Sequence, residues 1–338
     1  MSNKRIGGQT AALANPPSVL GFACVGGKFE KQGPLAEYFD ELNEDSFWGK
    51  KTWEQAESAM QKHALQRALD KAGLRMSQME YILAGDLLNQ CIGSSFGIRE
   101  SNIPFYGLYG ACSTMGESLG LAAMLIDGGF ASLSAAMTSS HFCTAERQYR
   151  MPVPYGNQRT PTAQWTVTAA GCTILGAEGP GPYITHVACG KIVDKGITDV
   201  NNMGAAMAPA AYDTLSAFFR DTGTTPRDYD LILTGDLGEL GHSIVLDFFR
   251  RDGYDLTGNY LDCGMLLYCR KKQDMHAGGS GCGCSAAVLN GYLLSGMRAG
   301  KWKRVVFAPT GALLSPTSSF QGESIPSICH AVCISCKK

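Results

Sequence analysis

Apolar residues recur at helical spacing from Trp53 to Ala72, and a dense apolar run, Tyr81-Ile82-Leu83-Ala84, follows them. The first pattern predicts an amphipathic helix and the second a buried strand. Thr52, with Gln55 three residues on, opens the helix as a capping box, and Gly73 closes it. The succession then returns. A second helical pattern precedes Gly223, and Asp230-Leu231-Ile232-Leu233-Thr234-Gly235-Asp236-Leu237 matches Glu80-Tyr81-Ile82-Leu83-Ala84-Gly85-Asp86-Leu87. Both copies carry an acidic residue, an apolar strand and Gly-Asp-Leu.

The copies match again downstream. Residues 110–139 read as loop, helix, Asp127-Gly128-Gly129 and a strand over 131–138. Residues 281–310 repeat that order, with a helix ending at Ala299-Gly300 and a strand over Arg304–Ala308. In this register Gly283 falls opposite Cys112, and the second half holds an extra stretch around 262–278. Alternating helices and short strands predict an α/β fold of two pseudo-symmetric βα repeats with mainly parallel sheets. The N-terminal half is placed at residues 1–180 and the C-terminal half at 181–338.

Residues 142–164 break the pattern. They are polar and hold Pro152, Pro154 and Pro161 with Arg147, Arg150 and Arg159, which predicts an inserted loop over one face. A strand is expected to resume at Trp165.

Composition narrows the function classes. With 338 residues and 45% hydrophobic content the chain can bury a large core, and a net charge of −1 gives no basic surplus for nucleic acid. No apolar run is long enough for a membrane span, and the start lacks a signal-like apolar core. The 13 cysteines are odd in number and scattered through a large chain, so reduced thiols in a cytoplasmic compartment are expected.

Cys112 is the leading chemical candidate. Tyr109-Gly110-Ala111-Cys112-Ser113-Thr114 places a thiol between a strand and the first turn of a helix, where backbone N–H groups favour a thiolate. The bland reading is a small buried hydrophobe at a tight turn. Asp86 and Asp236 end equivalent strands near the pseudo-twofold axis, and capping the turns that follow is the job expected of them. Other motifs weaken on inspection. Gly116-Glu117-Ser118-Leu119-Gly120 lies inside a helix rather than at an elbow, and Gly26-Gly27-Lys28 lacks the phosphate-loop hydroxyl. The tail Cys329-His330-Ala331-Val332-Cys333-Ile334-Ser335-Cys336 has metal-like spacing, but it alternates like a terminal strand, so no metal is expected there.

The strand-loop-Cys-helix unit set in a βα duplication resembles the thiolase superfamily, which implies a five-layered αβαβα sandwich. A more specific resemblance is to the stage V sporulation protein AD family of spore-forming Firmicutes. It rests on Ala84-Gly85-Asp86-Leu87-Leu88-Asn89-Gln90, Gly110-Ala111-Cys112-Ser113-Thr114, Thr144-Ala145-Glu146-Arg147-Gln148-Tyr149-Arg150, Met203-Gly204-Ala205-Ala206-Met207-Ala208-Pro209 and Thr310-Gly311-Ala312-Leu313-Leu314-Ser315-Pro316-Thr317, in one order along nearly the whole chain. The resemblance implies binding of dipicolinic acid, free or as its calcium chelate, and its movement into the developing spore. It further implies peripheral location on the spore inner membrane beside other stage V sporulation protein A operon products, some membrane-embedded. Thiolase folds also commonly pair sheet edges in a homodimer. No cofactor is expected beyond calcium carried with the ligand.

Catalysis in that superfamily needs a polarising pair facing the cysteine. Here the histidine position reads Thr234-Gly235-Asp236, and Gly279-Ser280-Gly281 stands where many relatives open a loop with Asn. His330 remains as a base that could approach Cys112. A non-catalytic pocket is therefore the leading reading, and a condensing or acyl-transferring enzyme with Cys112 as nucleophile is the rival. For a dianionic aromatic ligand, Arg147 and Arg150 are the expected carboxylate partners, since they share a face if their stretch is helical. The bland alternative is a salt bridge to Glu146 or solvent exposure. Asn89, Gln90, His141, His330, Asp86 and Cys112 complete the expected site.

Overall fold

A computed structural model describes residues 4–149 and 159–338. Its main strands are β1 (Ser18–Gly26), β2 (Tyr81–Gly85), β3 (Phe105–Gly107), β4 (Leu133–Ser140), β5 (Ala169–Gly176), β6 (Tyr183–Ala188), β7 (Leu231–Thr234), β8 (Tyr260–Asp262), β9 (Arg304–Ala308) and β10 (Ala331–Ser335). They form one sheet in the order β8-β7-β9-β10-β6-β1-β5-β4-β2-β3. The duplication is visible in that order, because β1-β5-β4-β2-β3 and β6-β10-β9-β7-β8 are the same arrangement met from opposite ends. They join at β1 and β6, antiparallel through Ser18 and Tyr183.

Mainly parallel pairing does not hold. Within each half four strands share a direction, but β5 and β10 run against them and sit between two of them. Antiparallel pairings therefore match or exceed parallel ones along the sheet, and apolar periodicity carries no information about strand direction.

The helices that position the site are α1 (Trp53–Ala72), α2 (Thr114–Asp127), α3 (Phe142–Tyr149), α4 (Met203–Thr222), α5 (Gly238–Arg251) and α6 (Cys282–Ala287). The last is prolonged by a π-turn (Val288–Leu293) and a final turn (Leu294–Arg298). At the start of α1 the Thr52 side chain accepts from the Gln55 amide, and Gly73 ends the helix at φ 67°, where a side chain would be strained. Gly223 ends α4 in the same way at φ 66°.

Three apolar clusters divide the layers. Met60, Leu65 and Leu69 of α1 pack on Ala23, Met137 and Ile174 of the first half. Met115 and Leu119 of α2 share a cluster with Val288 and Leu289 beyond α6, and with Leu233, Phe307 and Val332 of the second half. Leu215 and Phe218 of α4 cover Ile232 and Val306 on the far side. The two halves of the sheet thus lie in separate layers, giving helix, first half-sheet, paired helices, second half-sheet, helix: a five-layered α/β sandwich. Each fully buried Leu, Met or Phe contributes about 1.5–3 kcal/mol.

The insertion differs from the expected loop at its start. Residues 142–149 form α3, because all three prolines come later in the sequence and nothing breaks the helical pattern before them. Phe142 stacks on Trp165 with ring centroids 4.0 Å apart. Trp165–Thr166 pairs with Gly279–Ser280, which ties the insertion to the loop preceding α6.

Candidate functional site

Cys112 lies in a single tight turn, Ala111–Ser113, at the entry to α2. Side chains hold the turn shut. Ser113 Oγ donates to the Gly110 carbonyl at 2.6 Å, and Thr114 Oγ1 donates to Ala111 at 2.7 Å while accepting from the Gly110 amide at 3.1 Å. Ala111 takes φ 48°, an unusual conformation for a residue with a Cβ. The hairpin of Thr310–Ala312 with Ser327–Cys329 presses on this turn. Gly311 makes that possible, since a Cβ there would meet the Gly110 carbonyl oxygen at 2.1 Å.

The turn does not produce a thiolate. Burial pushes the Cys112 thiol well above its ordinary value, and the Asp236 carboxyl and the Cys282 thiol push it further. Only the Gly281 amide acts the other way. The helix N-terminus is outweighed because the sulfur is fully desolvated and faces an acid.

Asp236 is the group facing it. Its carboxyl accepts from the Gly281 amide at 2.8 Å and from Ser280 Oγ at 3.2 Å, and it faces the Cys112 thiol. Burial raises it to about 7. The capping role expected of Asp236 is therefore incorrect: its hydrogen-bond partners come from the loop before α6 in the same half, and it faces Cys112 across the pseudo-twofold axis. Asp262 takes the capping role instead, accepting from the Leu237 and Gly238 amides at 2.9 and 3.0 Å.

Asp86 does cap its own turn. It accepts from the Leu88 amide at 2.9 Å, the Ser94 amide at 2.7 Å and Ser94 Oγ at 2.6 Å. Behind it Glu57, raised by burial and by Asp86, accepts from Ser139 Oγ at 2.9 Å and bonds Thr144 Oγ1 at 2.8 Å. The second of these bonds anchors α3.

Cys112 borders a cavity of about 40 Å3 walled chiefly by Leu87, Tyr109, Ala145, Met203, Ala312 and Leu314. At roughly 10–15 Å3 for each water-sized position, that is room for about three waters. Ala145 brings α3 to the wall, and Cys282 packs behind Cys112.

The other expected residues scatter. Arg147 points away from the cavity: its guanidinium pairs with Glu54 and lies 5.8 Å from the Trp53 ring. Arg150 lies outside the described residues. Asn89 and Gln90 are exposed, and the Asn89 amide donates to Gln148 Oε1 at 3.1 Å. His141 is buried, with Nε2 2.8 Å from the Ser46 carbonyl and Nδ1 accepting from the Cys143 amide at 3.2 Å, so both ring nitrogens serve the fold. His330 turns Nδ1 to the Gly190 amide at 3.3 Å, and burial lowers it to about 4. It does not line the cavity. Asp236, Ala145, Tyr109 and Met203 were not anticipated there, although an acid at the histidine position of the second repeat was the one available signal for Asp236. Among the described residues no group of three or more His, Cys, Asp or Glu is placed to hold a metal ion.

The sequence profile of the family described as stage V sporulation protein AD (SpoVAD) matches residues 7–335. The stage V sporulation protein AD of Bacillus subtilis (strain 168) is 44% identical over 330 residues, covering 97% of both chains. This chain belongs to the stage V sporulation protein AD family. Solved structures similar to this SpoVAD-family chain include 3-oxoacyl-[acyl-carrier-protein] synthase III from Aquifex aeolicus VF5, at TM-score 0.59 and 12% identity over 94% of this chain and 99% of that one. Xanthomonas campestris OleA aligns at TM-score 0.61 and 13% identity over 95% and 98%. The chain is a stage V sporulation protein built on the thiolase fold. Among the described residues no helix is long and apolar enough to cross a membrane.

Proposed function

We propose that this SpoVAD-family chain is a non-catalytic binding protein whose inner cavity, inherited from acyl-transferring relatives, takes dipicolinate, free or with calcium as cargo. The observation that carries this reading is the Cys112–Asp236 contact. A condensing cysteine needs a base that leaves it as thiolate and donors for a developing oxyanion. A carboxylate against the thiol opposes the first and repels the second.

Dipicolinate is far larger than three waters, so loading requires the cavity to open. The element that moves in this proposal is α3, which contributes Ala145 to the wall and is held by side-chain bonds from Thr144, Glu146 and Gln148 to Glu57, Thr166 and Asn89. The protein works, in this reading, at the spore inner membrane beside membrane-embedded products of its operon. The exposed edge of β3, with Phe105 and Tyr106 open to solvent, is the surface through which two copies would pair.

Calorimetry with dipicolinate and with isophthalate, which lacks the ring nitrogen, tests the binding. Equal heats near zero for both would sink it. Mass spectrometry after incubation with acyl-CoA tests the rival, since a stable adduct on Cys112 would make the protein an acyltransferase.

A further inference from the structure

We infer that Glu57 is a protonated latch on the wall of the Cys112 cavity: its carboxylic proton is donated to Thr144, and loss of that proton releases α3. As a means of regulating ligand entry this rests on the reading of that cavity as the binding site. The latch itself does not depend on a ligand.

The assignment comes from counting hydrogens. Thr144 Oγ1 lies 2.8 Å from Glu57 Oε2 and 2.9 Å from the His141 carbonyl oxygen. At those separations each contact must hold a hydrogen, because two bare oxygens would repel. The hydroxyl carries only one, and a carbonyl can only accept. Thr144 therefore donates to His141, and the second hydrogen belongs to Glu57 Oε2. The other carboxyl oxygen, Oε1, accepts from Ser139 Oγ at 2.9 Å, and Ser139 in turn accepts from Gln61 Nε2 at 2.8 Å. Glu57 thus shows the one-donor, one-acceptor pattern of a neutral acid.

Its surroundings favour that state. Glu57 is 0% exposed and Thr144 1%. Asp86 faces Glu57 from the end of β2, and its three donors, the amides of Leu88 and Ser94 and the Ser94 hydroxyl, suit an ionised carboxylate. Gln61 Nε2 joins the two acids by bonding Ser139 and Ser94 Oγ, each at 2.8 Å. The Cys282 thiol at the start of α6 also lies beside the pair, and Cys91 beside Asp86. Of the charged groups on α1 and α3, Glu54 and Arg147 pair with each other, and Glu146 accepts from Thr166 Oγ1 at 3.0 Å. The ring of His141 serves the Ser46 carbonyl and the Cys143 amide.

Ionising Glu57 would set two buried anions side by side. Thr144 could then serve Glu57 only by abandoning His141, at the entry to α3. Relief requires water to reach the second anion, so one neighbour must move. Asp86 and Ser139 are fixed by β2 and β4, which pair in the sheet, whereas α3 is attached through side chains. The closed form holds the proton and the released form gives it up in the ordinary carboxylate range. Closure is therefore complete below that range and is lost as pH rises.

The test is amide exchange of the full chain without ligand at pH 5.5 and 8.5, expressed as protection relative to the intrinsic rate. Protection of residues 142–149 is expected to fall at least about tenfold across that interval, and further than that of α4, the control in the second half. Glu57→Gln keeps an N–H donor for Thr144 and a carbonyl for Ser139 but cannot ionise, so its α3 should stay at the wild-type low-pH level throughout. Thr144→Val lacks the latch and should be poorly protected at both pH values. Asp236 is present in all three chains, so its effect on global stability cancels. A wild-type α3 equally protected at both pH values, or an equal fall in Glu57→Gln, would overturn the latch. Calorimetry with dipicolinate is read separately. No binding with pH-dependent exchange intact would remove the ligand reading and leave the latch, whereas binding with flat exchange would remove the latch alone.

Discussion

The thiol of Cys112 faces the carboxyl of Asp236, and both groups are buried. Their pairing makes the cysteine a poor nucleophile at neutral pH. Iodoacetamide should therefore modify Cys112 at least about tenfold more slowly than free cysteine at pH 8. Asp236→Asn keeps an acceptor for the Gly281 amide but removes the charge, so labelling should accelerate in that variant. Peptide mapping by mass spectrometry separates Cys112 from the other thiols, and fast labelling in the wild type would contradict the pairing.

Asp236 also links stability to pH. Unfolded, it ionises near 3.8; folded, near 7. Between those values the folded chain retains a proton that the unfolded chain has released. Stability therefore falls as pH rises through this window, and the penalty is complete above about 7. A tenfold change in proton affinity is worth about 1.4 kcal/mol, so the effect is of the order of a few kcal/mol. Glu57, raised in the same direction by burial and by Asp86, adds to it. Melting temperatures should be higher at pH 5.5 than at pH 8.5, and both Asp236→Asn and Glu57→Gln should narrow the gap. A flat profile in the wild type would show that these carboxyls ionise normally.

The repeat made most of the fold legible. Gly73 and Gly223 mark equivalent helix ends, and Cys112 falls at the loop-helix junction because the two copies share a register. What stayed hidden depends on contacts between the copies. Asp236 meets Cys112 only after the two halves dock, and nothing in Gly235-Asp236-Leu237 distinguishes it from Gly85-Asp86-Leu87, whose aspartate caps a turn. The rotation of α3 was hidden for a related reason. Spacing puts Thr144, Arg147 and Gln148 on neighbouring positions, but only the presence of Glu57, Glu54 and the Asn89 amide decides which way they face.

Thr144→Val tests the anchoring of α3. The hydroxyl lies within hydrogen-bond distance of both the Glu57 carboxyl and the His141 carbonyl, and its loss leaves the buried carboxyl short of a partner, which costs about 1–3 kcal/mol. The local effect should exceed the global one. Amide exchange in residues 142–149 is expected to accelerate more than in α1, and Cys112 should become more accessible to alkylation. Equal changes in both helices would mean that Thr144 supports the whole fold rather than the wall of the cavity.

Gly311→Ala tests whether the hairpin and the Cys112 turn form one unit. An added methyl would lie 2.1 Å from the Gly110 carbonyl oxygen and close to the Ser113 and Cys112 amides. These are backbone atoms and cannot rotate aside, so the hairpin or the turn must move. Overpacking of this kind typically costs about 1–3 kcal/mol, and the bonds from Ser113 and Thr114 that close the turn would weaken with it. Gly258→Ala is the matched control, because a Cβ there meets nothing within 4 Å and its backbone is not in the left-handed region. The expected result is a lowered melting temperature for Gly311→Ala alone, with faster alkylation of Cys112 as its turn loosens. If Gly311→Ala melts like the wild type, the hairpin is free to retreat from the turn, and the tight cavity at Cys112 owes its size to α3 alone.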